Sequence, residues 1–192
     1  MLKRLSDAQR DNDNILAVID GVGLSNDGHG KFLLSPNPKG QKLAFERAYE
    51  QSRVNPGDID YLECHATGTP LGDNTEFNSI EDFFVSESST ALKVGGVKSN
   101  MGHLLTAAGM AGMIKVILGM HKNLLPATIM VEDPLSSKGG RIGPEQITTE
   151  NESWPRKGDV PRSGVNTFGF GGTNAHMIVS AYDPEAVPEE EQ

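Results

Sequence analysis

The chain has 192 residues, of which 36% are hydrophobic and 22% are charged, a composition typical of a folded globular protein. Lys and Arg total 17 against 26 Asp and Glu, so the net charge of −9 argues against nonspecific binding to nucleic acid or to anionic membranes. The single cysteine, Cys64, excludes an intramolecular disulfide and a Cys-rich zinc site, and we expect no bound metal. No apolar segment follows the basic residues after Met1, which predicts a cytoplasmic protein without a signal peptide.

Strands alternate with helices along the chain, which predicts a layered α/β domain over residues 1–182, followed by an acidic tail or linker at 183–192. The predicted elements, in chain order, are a strand at 15–24, a helix at 42–52, a strand at 59–64, a helix starting at Asp73, a strand at 92–97, a helix at 102–121, a long surface excursion at 126–162, and two strands at 163–168 and 175–181.

Two of the predicted helices carry further signals. Asp73 lies three residues before Glu76, which is the spacing of a capping box at a helix start. The helix at 102–121 is apolar on nearly every side, so we expect it to be fully buried at the centre of the fold. Its longest uncharged run ends before Lys115 and is too short to cross a membrane.

Three motifs contain the residues suited to chemistry. The first, CHATGTPLGD at 64–73, places His65 where a strand ends and a loop begins, a usual position for a catalytic residue in an α/β sheet. The second, KSNMGH at 98–103, places His103 at the predicted start of the apolar helix, where a neutral imidazole could donate a hydrogen bond to an oxyanion. The third, NTFGFGGTNAH at 166–176, is a glycine-rich turn between two strands and lacks the G-x-G-x-x-G spacing of a nucleotide loop.

Each motif alone also has a structural interpretation. His65 could be a structural hydrogen-bonding residue, and His103 could cap a helix while Lys98 forms a surface ion pair. The third motif could be an ordinary hairpin turn, with His176 in a structural role. Cys64 precedes His65 on an extended segment, so the two side chains should point to opposite faces and Cys64 should belong to the core.

Together, in this order, the three motifs resemble the C-terminal half of a β-ketoacyl synthase, most closely the ketosynthase domains of modular polyketide and polyunsaturated-fatty-acid synthases. The resemblance extends from about Leu2 to Val179 and implies half of a thiolase-like fold, a layered α/β architecture with a mixed sheet and a central buried helix. Ala66 departs from the family pattern, in which many members have glycine at this position.

The resemblance also implies roles for individual residues. His65 and His103 match the two catalytic histidines, Lys98 matches the lysine beside the second of them, and Glu76 is the expected carboxylate partner of that lysine. Thr67 and Thr69 match positions that contact a phosphopantetheine arm. Phe170 matches a gating phenylalanine whose backbone N–H, together with the turn at Gly171, would form half of an oxyanion hole.

The implied reaction is decarboxylative Claisen condensation of acyl and malonyl-type thioesters, and it needs a nucleophilic cysteine that the family carries in its N-terminal half. The expected partners are therefore that half and an acyl carrier protein, with a homodimer in the complete enzyme. No cofactor is expected to bind directly, because the substrate arrives on phosphopantetheine or coenzyme A. The alternatives are a non-catalytic partner resembling a chain-length factor, a module that binds acyl thioesters, and a thiolase, although a thiolase would carry a second cysteine near 169–172.

Overall fold

A five-stranded mixed sheet forms the centre of the computed structural model, which describes residues 1–28, 35–85 and 92–184. The strands are β1 (Ala17–Asn26), β2 (Tyr61–Glu63), β3 (Lys93–Gly95), β4 (Leu124–Leu125), β5 (Glu152–Ser153), β6 (Arg162–Phe168) and β7 (Thr173–Ala181). The helices are α1 (Leu5–Arg10), α2 (Pro38–Ser52), α3 (Pro70–Phe84), α4 (Lys98–Met101) and α5 (Ala108–Lys122), with 3-10 turns at Pro56–Asp58 and Leu105–Ala107. Residues 185–192 of the expected acidic tail lie outside the described residues.

The sheet order is β1-β7-β6-β2-β3, with β4 and β5 forming a separate two-stranded pair. β6, β2 and β3 run parallel to one another, while β7 is antiparallel to both β6 and β1. The carboxyl ends of three parallel strands therefore meet at one edge of the sheet, which is where α/β proteins place their functional loops. The predicted mixed sheet is confirmed.

The sheet separates two apolar clusters, as the alternation of side chains along a strand requires. In β2 and the residue after it, Leu62 and Cys64 face α2 and α3, whereas Tyr61 faces α5. Cys64 is 2% exposed, which confirms its prediction as a core residue. Burial raises the pKa of its thiol well above the ordinary value, so it stays protonated at neutral pH.

The long apolar helix predicted at 102–121 is interrupted. Gly102, with φ of 81°, ends α4, and α5 begins only at Ala108. The prediction of complete burial is also wrong for this chain, because Met110, Ile114 and Leu118 are 52%, 49% and 53% exposed. These residues recur every four positions, so they form one apolar stripe on the outer side of α5.

The segment between α5 and β6, which the sequence predicts as a surface excursion, is held to the rest of the domain by hydrogen bonds. The Glu81 carboxylate accepts the backbone N–H groups of Gly139 (2.8 Å) and Arg141 (2.9 Å), and Ile142 beside them is fully buried. The carboxylate of Asp60 accepts the indole N–H of Trp154 at the return of the excursion. Buried carboxylates on distant elements therefore hold this segment, and no local sequence pattern reports such contacts.

None of the helices among the described residues is both long and apolar enough to cross a membrane.

Candidate active site

The two histidines of the first two motifs meet at the carboxyl edge of the parallel strands. The ring centroids of His65, after β2, and His103, after α4, lie 5.7 Å apart with an interplanar angle of 84°. The His65 ring also packs 5.6 Å from the Phe168 ring at the end of β6. His65 is partly buried and His103 is exposed, so one imidazole lies deeper than the other. The structure thus brings all three motifs together.

Backbone hydrogen bonds orient both imidazoles in the same way. The N–H of Phe168 donates to Nδ1 of His65 (3.3 Å), and the N–H of Leu105 donates to Nδ1 of His103 (3.1 Å). A ring nitrogen that accepts a hydrogen bond carries no proton, so each neutral ring holds its proton on Nε2. Each imidazole can therefore offer Nε2–H as a donor to a third group.

The environment keeps His65 neutral at physiological pH. Its pKa is lowered from 6.5 to about 3, first by burial and then by the positive charge of Lys98 and the neighbouring His103. His103 lies two residues before the 3-10 turn Leu105–Ala107 that leads directly into α5, and the first N–H of that turn is the one that donates to its ring. For His65, desolvation and nearby positive charge favour the neutral form.

Glu76 holds the loop that carries His65. Its carboxylate, in the second turn of α3, is 2% exposed and accepts the backbone N–H groups of His65 (2.7 Å) and Ala66 (2.9 Å). It forms no ion pair with Lys98 within 4 Å, but among the nearby carboxylates it is the one whose charge most raises the pKa of the Lys98 ammonium against the effect of burial. The predicted capping box is wrong, because α3 begins at Pro70 with Thr69 as its N-cap.

A buried hydrogen-bond chain continues from Glu76 into the third motif. Asn166 donates its Nδ2–H to Glu76 (2.8 Å), and its Oδ1 lies 2.6 Å from Nδ1 of His176. The other ring nitrogen of His176 faces the hydroxyl of Tyr49 at 3.4 Å. His176 is fully buried, and burial lowers its pKa to about 3, so the structural interpretation of this histidine holds.

Ala66 has a backbone conformation that the sequence did not reveal. Its φ is 35°, in the left-handed region that favours glycine, so the methyl group costs about 1 kcal/mol of strain. The hydrogen bond from its N–H to Glu76 holds this conformation in place. Alanine at position 66, where the resemblance implies glycine, therefore affects the backbone and not only the local volume.

The hydroxyls of Thr67 and Thr69 lie 3.1 Å apart on the exposed rim of the same loop. Asp73, in the first turn of α3, accepts the backbone N–H of Gly68 at 3.3 Å. Asp73 thus stabilises the loop between the two threonines rather than capping the helix. The arrangement places two hydroxyl groups side by side at the surface, next to the His65 loop.

Phe170 and Gly171 occupy the central positions of a tight turn at the end of β6. The N–H of Gly172 donates to the carbonyl of Gly169 (3.2 Å), and Gly171 has a φ of 85°, which suits glycine at the third position of a type II turn. Phe170 is 84% exposed, and neither its N–H nor that of Gly171 bonds to another described residue. The turn therefore presents two backbone donors, two and three residues after Phe168, whose ring packs against His65.

Comparison with known proteins identifies the family. Residues 16–132 match the family model described as the C-terminal domain of beta-ketoacyl synthase. The chain belongs to this family. It is 39% identical over its full length to the phenolphthiocerol synthesis polyketide synthase type I of Mycobacterium marinum, of which it covers 9%. It is also 39% identical, over 96% of its length, to one subunit of the polyunsaturated fatty acid synthase from a Thraustochytrium species, and it covers 7% of that protein.

Solved structures agree with the family assignment. The structure titled PfaC keto synthase-chain length factor matches 94% of this chain with a TM-score of 0.89 and 53% identity, over 19% of its own chain. The ketosynthase from module 6 of the bacillaene synthase of Bacillus subtilis matches 95% of this chain with a TM-score of 0.88 and 35% identity. The chain therefore spans about a third of that ketosynthase, 35% of its length. The predicted thiolase-like fold class is confirmed.

Sequence reasoning missed two charged residues beneath the site. Glu63, 2% exposed in β2, forms an ion pair with Lys115 of α5 at 2.8 Å. The signals were present, because a glutamate inside a wholly buried strand and a lysine inside an apolar helix both require a partner. Among the described residues, no group of three or more His, Cys, Asp or Glu side chains could hold a metal ion.

We expect the ketosynthase domain to lose stability in mild acid. Below pH 6.5 the unfolded chain protonates His65 and His176, whereas the folded chain does so only near pH 3. Stability should therefore fall as the pH drops from 6.5 toward 3, by up to about 1.4 kcal/mol per pH unit for each histidine. The raised pKa values of Glu76 and Asp73 oppose part of this loss.

Urea unfolding at pH 7 and pH 5 measures this effect. The His176→Asn variant keeps a donor for Asn166 but no longer titrates, so it should lose less stability between the two pH values than the wild type. An equal loss in the two proteins would contradict the assignment of the acid sensitivity to His176.

Proposed function

We propose that this chain supplies the two-histidine half of a β-ketoacyl synthase active site, which performs decarboxylative Claisen condensation during polyketide or fatty acid synthesis. The observation that carries the proposal is the pair of imidazoles at 5.7 Å, each with Nδ1 occupied by a backbone N–H and Nε2–H left as a donor. Two neutral donors that converge on one oxygen stabilise an enolate without needing to transfer a proton.

The reaction proceeds through two bond exchanges. The bond between the α-carbon and the carboxylate of a malonyl-type thioester breaks, CO2 leaves, and the electron pair forms an enolate whose oxygen accepts Nε2–H from His65 and His103. The enolate carbon then attacks an acyl group bound as a thioester to a cysteine, the new carbon–carbon bond forms, and the cysteine leaves as thiolate. We assign the acyl carbonyl oxygen to the backbone N–H groups of Phe170 and Gly171, because neither bonds to another described residue.

The nucleophile has to come from another segment. Cys64, the only cysteine, is buried in the core cluster between the sheet, α2 and α3, and burial raises the pKa of its thiol. We therefore assign the nucleophile to a cysteine-bearing N-terminal half, in line with the third of a ketosynthase chain that this chain spans. The complete enzyme is proposed to be a homodimer in the cytoplasm.

The substrates are proposed to arrive on a phosphopantetheine arm of an acyl carrier protein, or as coenzyme A thioesters, with no other cofactor. We assign contacts with that arm to Thr67 and Thr69, and their exposed hydroxyls on the loop after His65 support this assignment. A role as a chain-length-factor-like partner or as a thioester-binding module is not favoured, because both imidazoles and Lys98 are retained in one site.

Reconstitution tests the proposal. The purified chain, given acyl and malonyl acyl carrier proteins, should form no β-ketoacyl product, whereas a mixture with a cysteine-bearing N-terminal ketosynthase half should form product and release CO2. Condensation by the chain alone would refute the assignment of the nucleophile to another segment. An inactive mixture in which the two halves are shown to associate would refute the proposed reaction.

The apolar stripe of α5 is proposed as the surface that this N-terminal half covers. Met110, Ile114 and Leu118 are about half exposed, and Val22 and Leu24 of β1 are exposed on the same face of the sheet. A soluble domain rarely leaves a contiguous apolar surface of this kind uncovered. In the absence of the other half, we expect the chain to form homo-oligomers through this surface.

Ile114→Asp should abolish association with the N-terminal half, because it places a charge in the centre of the stripe. It should leave the stability of the isolated chain nearly unchanged, since the side chain is already 49% exposed. Sedimentation of the wild type should show oligomers that the variant lacks. Leu2→Asp, at an exposed leucine away from α5, is the control and should change neither measurement.

A further inference from the structure

A buried ion pair lies directly beneath the candidate active site. Oε1 of Glu63 accepts the backbone N–H of Val97 (2.6 Å), the residue before Lys98. Oε2 of the same carboxylate accepts the hydroxyl of Tyr61 (3.0 Å) and the ammonium of Lys115 (2.8 Å). The side chains of Lys115 and Glu63 are 8% and 2% exposed, so water contributes little to their solvation.

The fold is shaped to bring Lys115 to this carboxylate. A Cβ atom at Gly112, one helical turn before Lys115, would lie 2.9 Å from Cγ of Glu63. Glycine at this position therefore allows α5 to approach β2 closely enough for the ion pair to form. The Lys115 ammonium also donates to the hydroxyl of Tyr61 (2.7 Å), so two side chains of β2 hold it in place.

The side-chain ammonium of Lys98, in contrast, has no hydrogen bond or ion pair with the described residues. Burial lowers the pKa of its ammonium, and nearby carboxylates raise it in part. Five titratable groups in the described part of the chain interact electrostatically with Lys98. They are Glu63, Cys64 and His65 in and after β2, and Asp73 and Glu76 in α3. Glu76 already accepts three donors, and Asp73 accepts the N–H of Gly68.

Of these three carboxylates, Glu63 is the one that forms an ion pair, and its partner is Lys115. We propose that Lys115 is a positioning residue for the candidate active site, because it occupies the Glu63 carboxylate, keeps that carboxylate on the Val97 N–H, and leaves the Lys98 ammonium unpaired beside the histidines. Without Lys115, the Glu63 carboxylate would be buried without a counter-charge, and Lys98 would be the cation available to neutralise it. The segment from Val97 to His103 would then be pulled toward β2.

Lysine NMR on the chain with ¹³C- and ¹⁵N-labelled lysine tests this proposal without any need for activity. In Lys115→Met, which keeps the volume of the side chain but not its charge, the pKa of Lys98 should rise by about one unit. In Glu63→Gln it should fall below the wild-type value, because the nearby negative charge is gone. Lys122→Met, at an exposed lysine of the same helix, is the control and should leave the pKa of Lys98 unchanged.

The outcomes separate positioning from a merely structural role. If Lys115→Met lowers stability while the pKa of Lys98 stays at its wild-type value, the proposal is wrong. If Lys115→Met does not fold, the Glu63→Gln/Lys115→Met double variant replaces it, since glutamine still accepts the Val97 N–H and no charge is left unpaired. In the double variant no unpaired charge is left to attract the Lys98 ammonium, so a Lys98 pKa close to the wild-type value, together with a lowered value in Glu63→Gln alone, supports the proposal. An unchanged Lys98 pKa in Glu63→Gln overturns it.

The catalytic readout rests on the proposed function. In the enzyme reconstituted with an N-terminal half, Lys115→Met should reduce the rate of decarboxylation at least tenfold, and the Glu63→Gln/Lys115→Met variant should recover most of it. If the Lys98 pKa shifts as expected but the reconstituted enzyme does not condense substrates, the proposed function alone is refuted. If the reconstituted wild type is active and Lys115→Met keeps both the wild-type Lys98 pKa and the wild-type activity, the positioning role alone is refuted.

Discussion

His103→Ala is expected to reduce decarboxylation of a malonyl thioester by about 10²- to 10³-fold in the reconstituted enzyme, because one of two preorganised donors to the enolate oxygen is lost. The side chain is exposed, so truncation should cost little stability. Release of labelled CO2 from malonyl acyl carrier protein measures the step directly. His103→Asn should recover part of the rate, since the asparagine amide can also donate a hydrogen bond.

His121→Ala is the matched control for this substitution. His121 is an exposed histidine at the end of α5 whose Nε2 lies 2.9 Å from the carbonyl of Leu16, far along the helix from the site. It should decarboxylate at the wild-type rate. Undiminished decarboxylation by His103→Ala would show that the His65–His103 pair does not hold the enolate.

Glu76→Ala is expected to have the largest effect on the protein as a whole. The substitution leaves three donors without an acceptor: the part-buried N–H groups of His65 and Ala66 and the buried amide of Asn166. Such a loss costs about 3 kcal/mol or more. The His65 loop should also lose its fixed position, and a misplacement of about 1 Å at a catalytic group can reduce the rate by about 100-fold. Condensation per folded molecule should therefore fall together with stability.

Glu81→Ala distinguishes these two effects. Glu81 lies on the same helix, is equally buried, and also holds two backbone N–H groups, but those belong to the distant 139–141 segment. Urea unfolding should show that both variants are destabilised. Only Glu76→Ala should reduce activity once the rate is corrected for the folded fraction. Equal activity of the two variants would contradict a positioning role for Glu76.

Short segments of the sequence were enough to predict the local features of the candidate active site. The strand ends, the histidines that follow them and the glycine-rich turn at 169–172 were all predictable, because residue type and backbone conformation are coupled over a few positions. Burial of Cys64 followed from its place next to His65 on an extended segment, since alternate side chains on a strand face opposite sides. The family followed from three motifs whose order and spacing are specific together.

Tertiary contacts decided which charges are paired. Glu76 reaches back to the His65 loop instead of capping its own helix, and Glu63 binds Lys115, 52 residues later in the chain. Such partnerships depend on which face of β2 or α3 a carboxylate occupies and on how closely a helix crosses the sheet. No local pattern encodes either distance, so Lys98 could be assigned an ion pair from the sequence and still have none among the described residues.

The exposure of the helix that follows Gly102 was likewise decided by the tertiary structure. An apolar run predicts that a helix will be buried, but it cannot say against what, and the stripe at Met110, Ile114 and Leu118 is exposed on this chain. The sequence by itself determined the fold class, the family and the residues that can perform the chemistry. The tertiary structure alone decided their charge states and their partners, because desolvation and electrostatic interactions act through space between residues that are distant in the chain.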